Sequence, residues 1–192
     1  METMDNQLTS EERAILLKLA RQAMESAVHG TKLEPLDLKC LPESLRIHGA
    51  TFVTLTKEGE LRGCIGALEP QKALAEDVRE HAIAAAQQDF RFPPVQSVEL
   101  PMINIEISRL TAPQDLDYVS PQDLLTRLRP HVDGVIIWDS YNRATFLPQV
   151  WDKIPDAETF LSHLCLKMGA SPDLWRRKTL RVQVYQVEEF HE

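Results

Sequence analysis

The run GATFVTLTKEGELRGCIGAL, residues 49–68, constrains the fold most. Two stretches rich in β-branched and other apolar residues flank the turn residues Lys57-Glu58-Gly59-Glu60, which predicts a β-hairpin. A hairpin makes its two strands antiparallel neighbours. Along the second strand, alternation places Leu61, Gly63 and Ile65 on one face and Arg62, Cys64 and Gly66 on the other. A second hairpin is predicted where GVIIWD and RATFLPQV flank the turn SYN. Between the hairpins, MINIEISRL sends Ile103, Ile105 and Ile107 one way and Asn104, Glu106 and Ser108 the other. LRVQVYQVEEF reads as a single closing strand.

Helical patterns fill the intervals. Thr9 and Glu12 form a capping-box pair ahead of Leu16, Leu19, Ala20, Ala23, Met24 and Ala27, so residues 10–29 read as an amphipathic helix that Gly30 stops. Pro70 opens a second helix with a buried stripe of Leu74, Val78, Ala82, Ala85 and Ala86. Pro93 and Pro94 end it. Ser120 caps a short helix with Pro121 at its first position, and Asp156 caps another that Gly169 closes. The order is α, β-hairpin, α, β, α, β-hairpin, α, β. It predicts an α+β fold with a mainly antiparallel sheet flanked by helices. No glycine-rich loop joins a strand to a helix, so a dinucleotide or P-loop fold is not supported.

Charge and cysteine usage narrow the function classes. Lys and Arg number 21 against 29 Asp and Glu, a net charge of −8, so the average field repels a phosphate backbone and nucleic-acid binding is not expected. The basic cluster Arg176, Arg177, Lys178 and Arg181 reads as a solvated strand entrance. No apolar run approaches the ~20 residues that span a bilayer. The acidic, polar start lacks the basic and apolar segments of a secretory signal, and the expected compartment is the cytoplasm. Cys40, Cys64 and Cys165 are odd in number and widely spaced, as free thiols in a reducing compartment are. There is no CxxC or HxxxH, and His163 and Cys165 point to different helix faces, so no metal site or cofactor is expected.

Together, LRGCIG, DFRFPPV, INIEIS, RATFLPQVW and FLSHLCLKMGAS resemble the AMMECR-one domain family. The resemblance runs from about Leu8 to Glu189, as one domain after a short tail at residues 1–7, and RATFLPQVW resembles the bacterial branch, the A protein of the AmmeMemoRadiSam system. Where many relatives have His-Gly, this chain has Asp133-Gly134, with His131 two places earlier. The resemblance implies a two-lobed α+β fold with the LRGCIG strand beside a cleft. It also implies association with a Memo-like protein and a radical SAM protein, which would bring its own iron–sulfur cluster. It implies no settled reaction.

The residues of LRGCIG admit two readings. If the strand at 102–110 joins the same sheet in compatible register, Arg62, Cys64 and Glu106 line one surface. Arg62 would then favour the thiolate of Cys64, and Glu106 would pair with Arg62 or act as a general base, with Gly63 and Gly66 giving a ligand close approach. Acyl or amide chemistry on a small molecule is the class these parts suggest. In the other reading Cys64 is a packed small residue and the polar face carries only an ion pair. Thr145 and Gln149 are further ligand candidates, Gln149 equally able to satisfy backbone groups after Pro148. Asp89 and Arg91 read as a helix-end ion pair holding their loop, Cys165 as core, and His81 as a satisfied histidine. Two function classes follow: an enzyme or enzyme component, and a non-catalytic adaptor for the two partners.

Overall fold

A computed structural model describes residues 7–192. In chain order the elements are α1 (Ser10–His29), α2 (Glu43–Arg46), β1 (His48–Lys57), β2 (Glu60–Gly66), β3 (Lys72–Ala73), α3 (Leu74–Gln87), β4 (Ile103–Leu110), β5 (Gln114–Asp115), α4 (Pro121–Arg127), β6 (Gly134–Asp139), β7 (Asn142–Phe146), α5 (Ala157–Lys167), α6 (Leu174–Arg177), β8 (Arg181–Tyr185) and β9 (Val187–His191). Short 3-10 turns cover Leu38–Cys40, Ser97–Met102 and Pro148–Asp152. The chain divides into two compact units, one running to Leu110 and regaining Glu188–Glu192, the other Thr111–Val187. Residues 1–6 of the expected tail lie outside the described residues. Among the described residues no helix is long and apolar enough to cross a membrane.

The first unit is a sheet of order β2-β1-β4-β9, with β3 on the end of β1. β1 runs antiparallel to β2, β3 and β4. The hairpin turn puts Glu58 and Gly59 at φ 55° and 84°, the left-handed pair that a tight two-residue turn requires. Val53, Leu55, Ile105 and Ile107 are fully buried against Leu16, Ala20, Val78 and Ala82. Each such side chain contributes about 1.5–3 kcal/mol on burial. A one-residue slip of either strand would turn its own two outward, so the register is firmly set.

Thr9 and Glu12 form the expected capping box on α1, and Gly30 ends it at φ 65°. The second helix begins at Leu74, not Pro70: Lys72 and Ala73 extend to pair with Gly49 and His48, and the Leu74 amide donates to the Ile47 carbonyl at 2.9 Å. Ala85 brings α3 against β2, where a Cβ on Gly63 would overlap the Ala85 carbonyl oxygen. Gly63 is therefore a helix–strand approach point.

The second unit is a sheet of order β5-β8-β6-β7. Its core holds Val135, Ile137, Trp151, Phe160, Leu161, Leu164, Cys165 and Trp175. RATFLPQV is not one strand: β7 stops at Phe146, and Pro148 starts a 3-10 turn that buries Trp151 flat on Phe160, ring centroids 3.6 Å apart. The closing strand is also two, β8 in one sheet and β9 in the other, with Gln186 between them.

Each sheet sets an aromatic ring over the glycine directly opposite: Phe52 over Gly66 in the first unit and Tyr185 over Gly134 in the second. Substituting Gly63→Ala should destabilise the protein by about 1–3 kcal/mol, because backbone must move to admit the methyl group. Urea unfolding, with the midpoint lowered and the slope unchanged, is the check.

Candidate functional site

Register arranges the face turned away from α1 and α3. Pairing of β1 with β2 and with β4 builds three rows across the strands: Gly66–Phe52–Ser108, Cys64–Thr54–Glu106 and Leu61–Thr56–Asn104. Cys64 and Glu106 thus share a face, with Thr54 between them. The Thr54 hydroxyl donates to Cys64 Sγ at 3.3 Å. The cysteine is half-buried.

Arg62 is not in that grid. The register shifts between Leu55 and Thr56, so Leu55 faces Gly63 while Thr56 faces Leu61, and Arg62 is the extra residue of a bulge. The alternation expected from LRGCIG breaks there, and Leu61 takes the row position. Arg62 pairs with Glu99, not Glu106: Nε donates to Oε1 at 3.0 Å and Nη2 to Oε2 at 2.9 Å. Lys57 reaches the same carboxylate at 3.1 Å. The Arg62 guanidinium, the Gln96 amide and the Lys57 ammonium hold the Glu99 carboxyl at about 2, below its ordinary 4.5.

β2 is an edge strand, and its exposed backbone groups at Cys64 are met by side chains. The Cys64 amide donates to Asp89 Oδ2 at 2.8 Å, and Arg91 Nη2 donates to the Cys64 carbonyl at 3.2 Å. Arg91 also grips Asp89 through Nε at 2.9 Å and Nη2 at 2.6 Å. The pair stands in for a missing strand. Asp89 is buried, and Arg91 with the Cys64 and Arg91 amides holds its carboxyl far below the usual range. The helix-end ion pair read from the sequence is present, and it also fixes the backbone of the candidate nucleophile.

Neither glycine opens space toward a ligand. Gly63 faces α3, and the Cβ direction of Gly66 is filled by the Phe52 ring and the Thr51 carbonyl. Thr145 and Gln149 belong to the second unit. There the Thr145 hydroxyl meets Tyr185 Oη at 3.1 Å, Tyr185 donates to the Phe146 carbonyl at 3.2 Å, and burial pushes the Tyr185 phenol up to about 12. Gln149 is exposed. Asp133 is buried and accepts from the Arg129 amide and guanidinium, so it anchors its loop. The basic cluster is neutralised side chain by side chain: Arg176 with Glu158, Arg177 with Asp173, Lys178 with Asp139 and Arg181 with Asp115. His81 is satisfied by Asp77, which also accepts from the Thr51 amide and hydroxyl.

Sequence reasoning missed Thr54 and Glu99. Thr54 was legible as the central residue of the facing strand once its register is known. Glu99 carries a weaker signal, the Q-x-x-E spacing after Pro94, whose box bond from the Gln96 amide to Glu99 is 2.9 Å.

The family model AMMECR1 matches residues 17–190. The chain belongs to the AMMECR1 family. That match runs through residues of both units. A protein of Methanothermobacter thermautotrophicus is 42% identical over 190 residues, covering 96% of each chain. One of Thermofilum pendens is 41% identical over 197 residues, covering 96% of this chain and 92% of its own. The crystal structure of the uncharacterized protein PH0010 from Pyrococcus horikoshii is similar at a TM-score of 0.77 and 33% identity, over 96% of this chain and 93% of that one. The AMMECR1 domain therefore has the α+β architecture expected from the sequence, built as antiparallel sheets with flanking helices.

Two outcomes follow from these charges. Because the Glu99 carboxyl is depressed in the folded state, its stabilisation is complete above about pH 4.5 and is lost as pH falls towards 2. Glu99→Gln should therefore flatten the fall in urea stability over that window. Asp89→Asn should cost about 1–3 kcal/mol, since it weakens the charged hydrogen bonds of a buried carboxylate, and should speed hydrogen exchange at the Cys64 amide.

Proposed function

We propose that this AMMECR1 domain is an enzyme, or the reactive component of one, that uses Cys64 as nucleophile on a small molecule. The reaction class is acyl or amide chemistry, in which a thiolate attacks a carbonyl carbon. The observation that carries the reading is the 3.3 Å hydrogen bond from Thr54 to a half-buried Sγ. The strand bearing that sulfur is clamped at the same residue by Asp89 and Arg91. The hydroxyl orients the sulfur, and the clamp removes backbone freedom that a reacting atom cannot tolerate. Arg62 supports the site from the bulge through Glu99, not by contact with the thiol.

The same proposal places the chain in the bacterial branch of the family, in the cytoplasm, beside a Memo-like and a radical SAM protein. Its support is the resemblance carried by LRGCIG and RATFLPQVW. Any iron–sulfur chemistry then belongs to the partner. Glu106 remains the candidate base by position alone: it is two strands from Cys64 on the same row.

Alkylation with iodoacetamide near neutral pH, read by peptide mass spectrometry, tests the nucleophile. The Cys40 thiol is pushed up by its hydrogen bond to Asp37, and burial pushes the Cys165 thiol up. Cys64 should label first in the native protein. Protection of Cys64 until the protein unfolds would sink the reading. So would full complementation of a deletion strain by Cys64→Ser, which would instead favour the adaptor role.

A further inference from the structure

We propose that Glu106 forms a subsite for a cationic group, an ammonium or guanidinium, on the substrate that reacts at Cys64. This rests on the reading of Cys64 as an accessible nucleophile. The nine-residue grid formed by the three rows contains one charged side chain, Glu106. The nearby charges are committed elsewhere: Arg62 and Lys57 to Glu99, and Asp89 to Arg91. Glu106 is half-buried, and its carboxylate makes no hydrogen bond or ion pair among the described residues. A carboxylate that has given up part of its hydration without a partner is complementary to a cation that supplies one.

Geometry sets the spacing of the ligand. The amide and carbonyl of Cys64 point out to Asp89 and Arg91, so Cys64 and Thr54 form a non-hydrogen-bonded pair. The hydrogen-bonding groups of Thr54 then face β4, making Thr54 and Glu106 a hydrogen-bonded pair. The two Cα separations, about 4.5 and 5.5 Å, put Cys64 and Glu106 about 10 Å apart at the backbone. A substrate suited to this face carries its reacting carbonyl and its cation at opposite ends of a short chain. Phe52 and Leu61, on the flanking rows, offer apolar surface to that chain.

Three methanethiosulfonates test this on the full chain: the neutral methyl reagent, the cationic trimethylammonioethyl reagent and the anionic sulfonatoethyl reagent. Each forms a disulfide with the thiolate and releases methanesulfinate, so the transferred group's charge is the variable. Rates are read at Cys64 by peptide mass spectrometry, with Cys40 in the same molecule as internal reference. The cationic reagent should outpace the anionic one at Cys64. Glu106→Gln should lower that ratio by about threefold or more, with each rate taken relative to that of the neutral reagent and with the Cys40 ratio unchanged. In the wild-type chain, ~1 M salt should shrink the ratio at Cys64 without any substitution. A ratio at Cys64 indifferent to both Glu106→Gln and salt, with the neutral reagent still reacting, overturns the subsite and leaves the nucleophile standing. Failure of all three reagents at native Cys64 overturns both.

Discussion

Strand β1 sits between β2 and β4, and its alternation is imposed on both neighbours. Val53 and Leu55 turn into the helices with Ile65, Ile105 and Ile107 beside them. Burial of those side chains decides which face is which, because the polar residues have no comparable term. The consequence for chemistry is indirect but strict. Once Val53 and Leu55 point inward, Thr54 points away from the helices, and the residues opposite it are Cys64 on one side and Glu106 on the other. The candidate site is what remains of a core constraint on its far face.

The edge of that sheet shows a second economy. A strand edge needs partners for its outward N–H and C=O groups, and at Cys64 they are an acid and a base two residues apart in sequence. Asp89 accepts where a strand carbonyl would, and Arg91 donates where a strand amide would. Phe90 between them is almost fully exposed. Further along, the bulge at Arg62 swings a guanidinium out of the polar rows and into a carboxylate already holding Lys57. The charges surrounding the thiol are thus mostly structural, and the grid itself is left nearly neutral apart from Glu106.

Much of this was legible in the residues and some was not, for identifiable reasons. The capping box at Thr9, the turn at Glu58-Gly59 and the isoleucine alternation of β4 are local codes, and each appears where the pattern places it. The shared face of Cys64 and Glu106 was a conditional inference that needed register, which comes from packing. A bulge adds one residue without altering composition, so nothing in LRGCIG distinguishes an Arg62 on the row from an Arg62 out of it. Its partner Glu99 lies in a 3-10 turn brought near by the whole of α3. The split at Gln186 was hidden because YQVEEF keeps strand-forming residues on both sides of it.

That split has a consequence for how the chain is made. One stretch serves two sheets: β8 completes the second, and β9 lies beside β4 in the first. During translation the first unit emerges first, yet it lacks β9 until the whole of the second has been synthesised. Throughout that interval β4 presents a free edge, and the Glu188 carboxylate that receives the Leu8 amide, Arg13 and Arg109 has not left the ribosome. The unit begun first is the one finished last, and the time its β4 edge waits for a partner is set by the length of the insertion between its two parts.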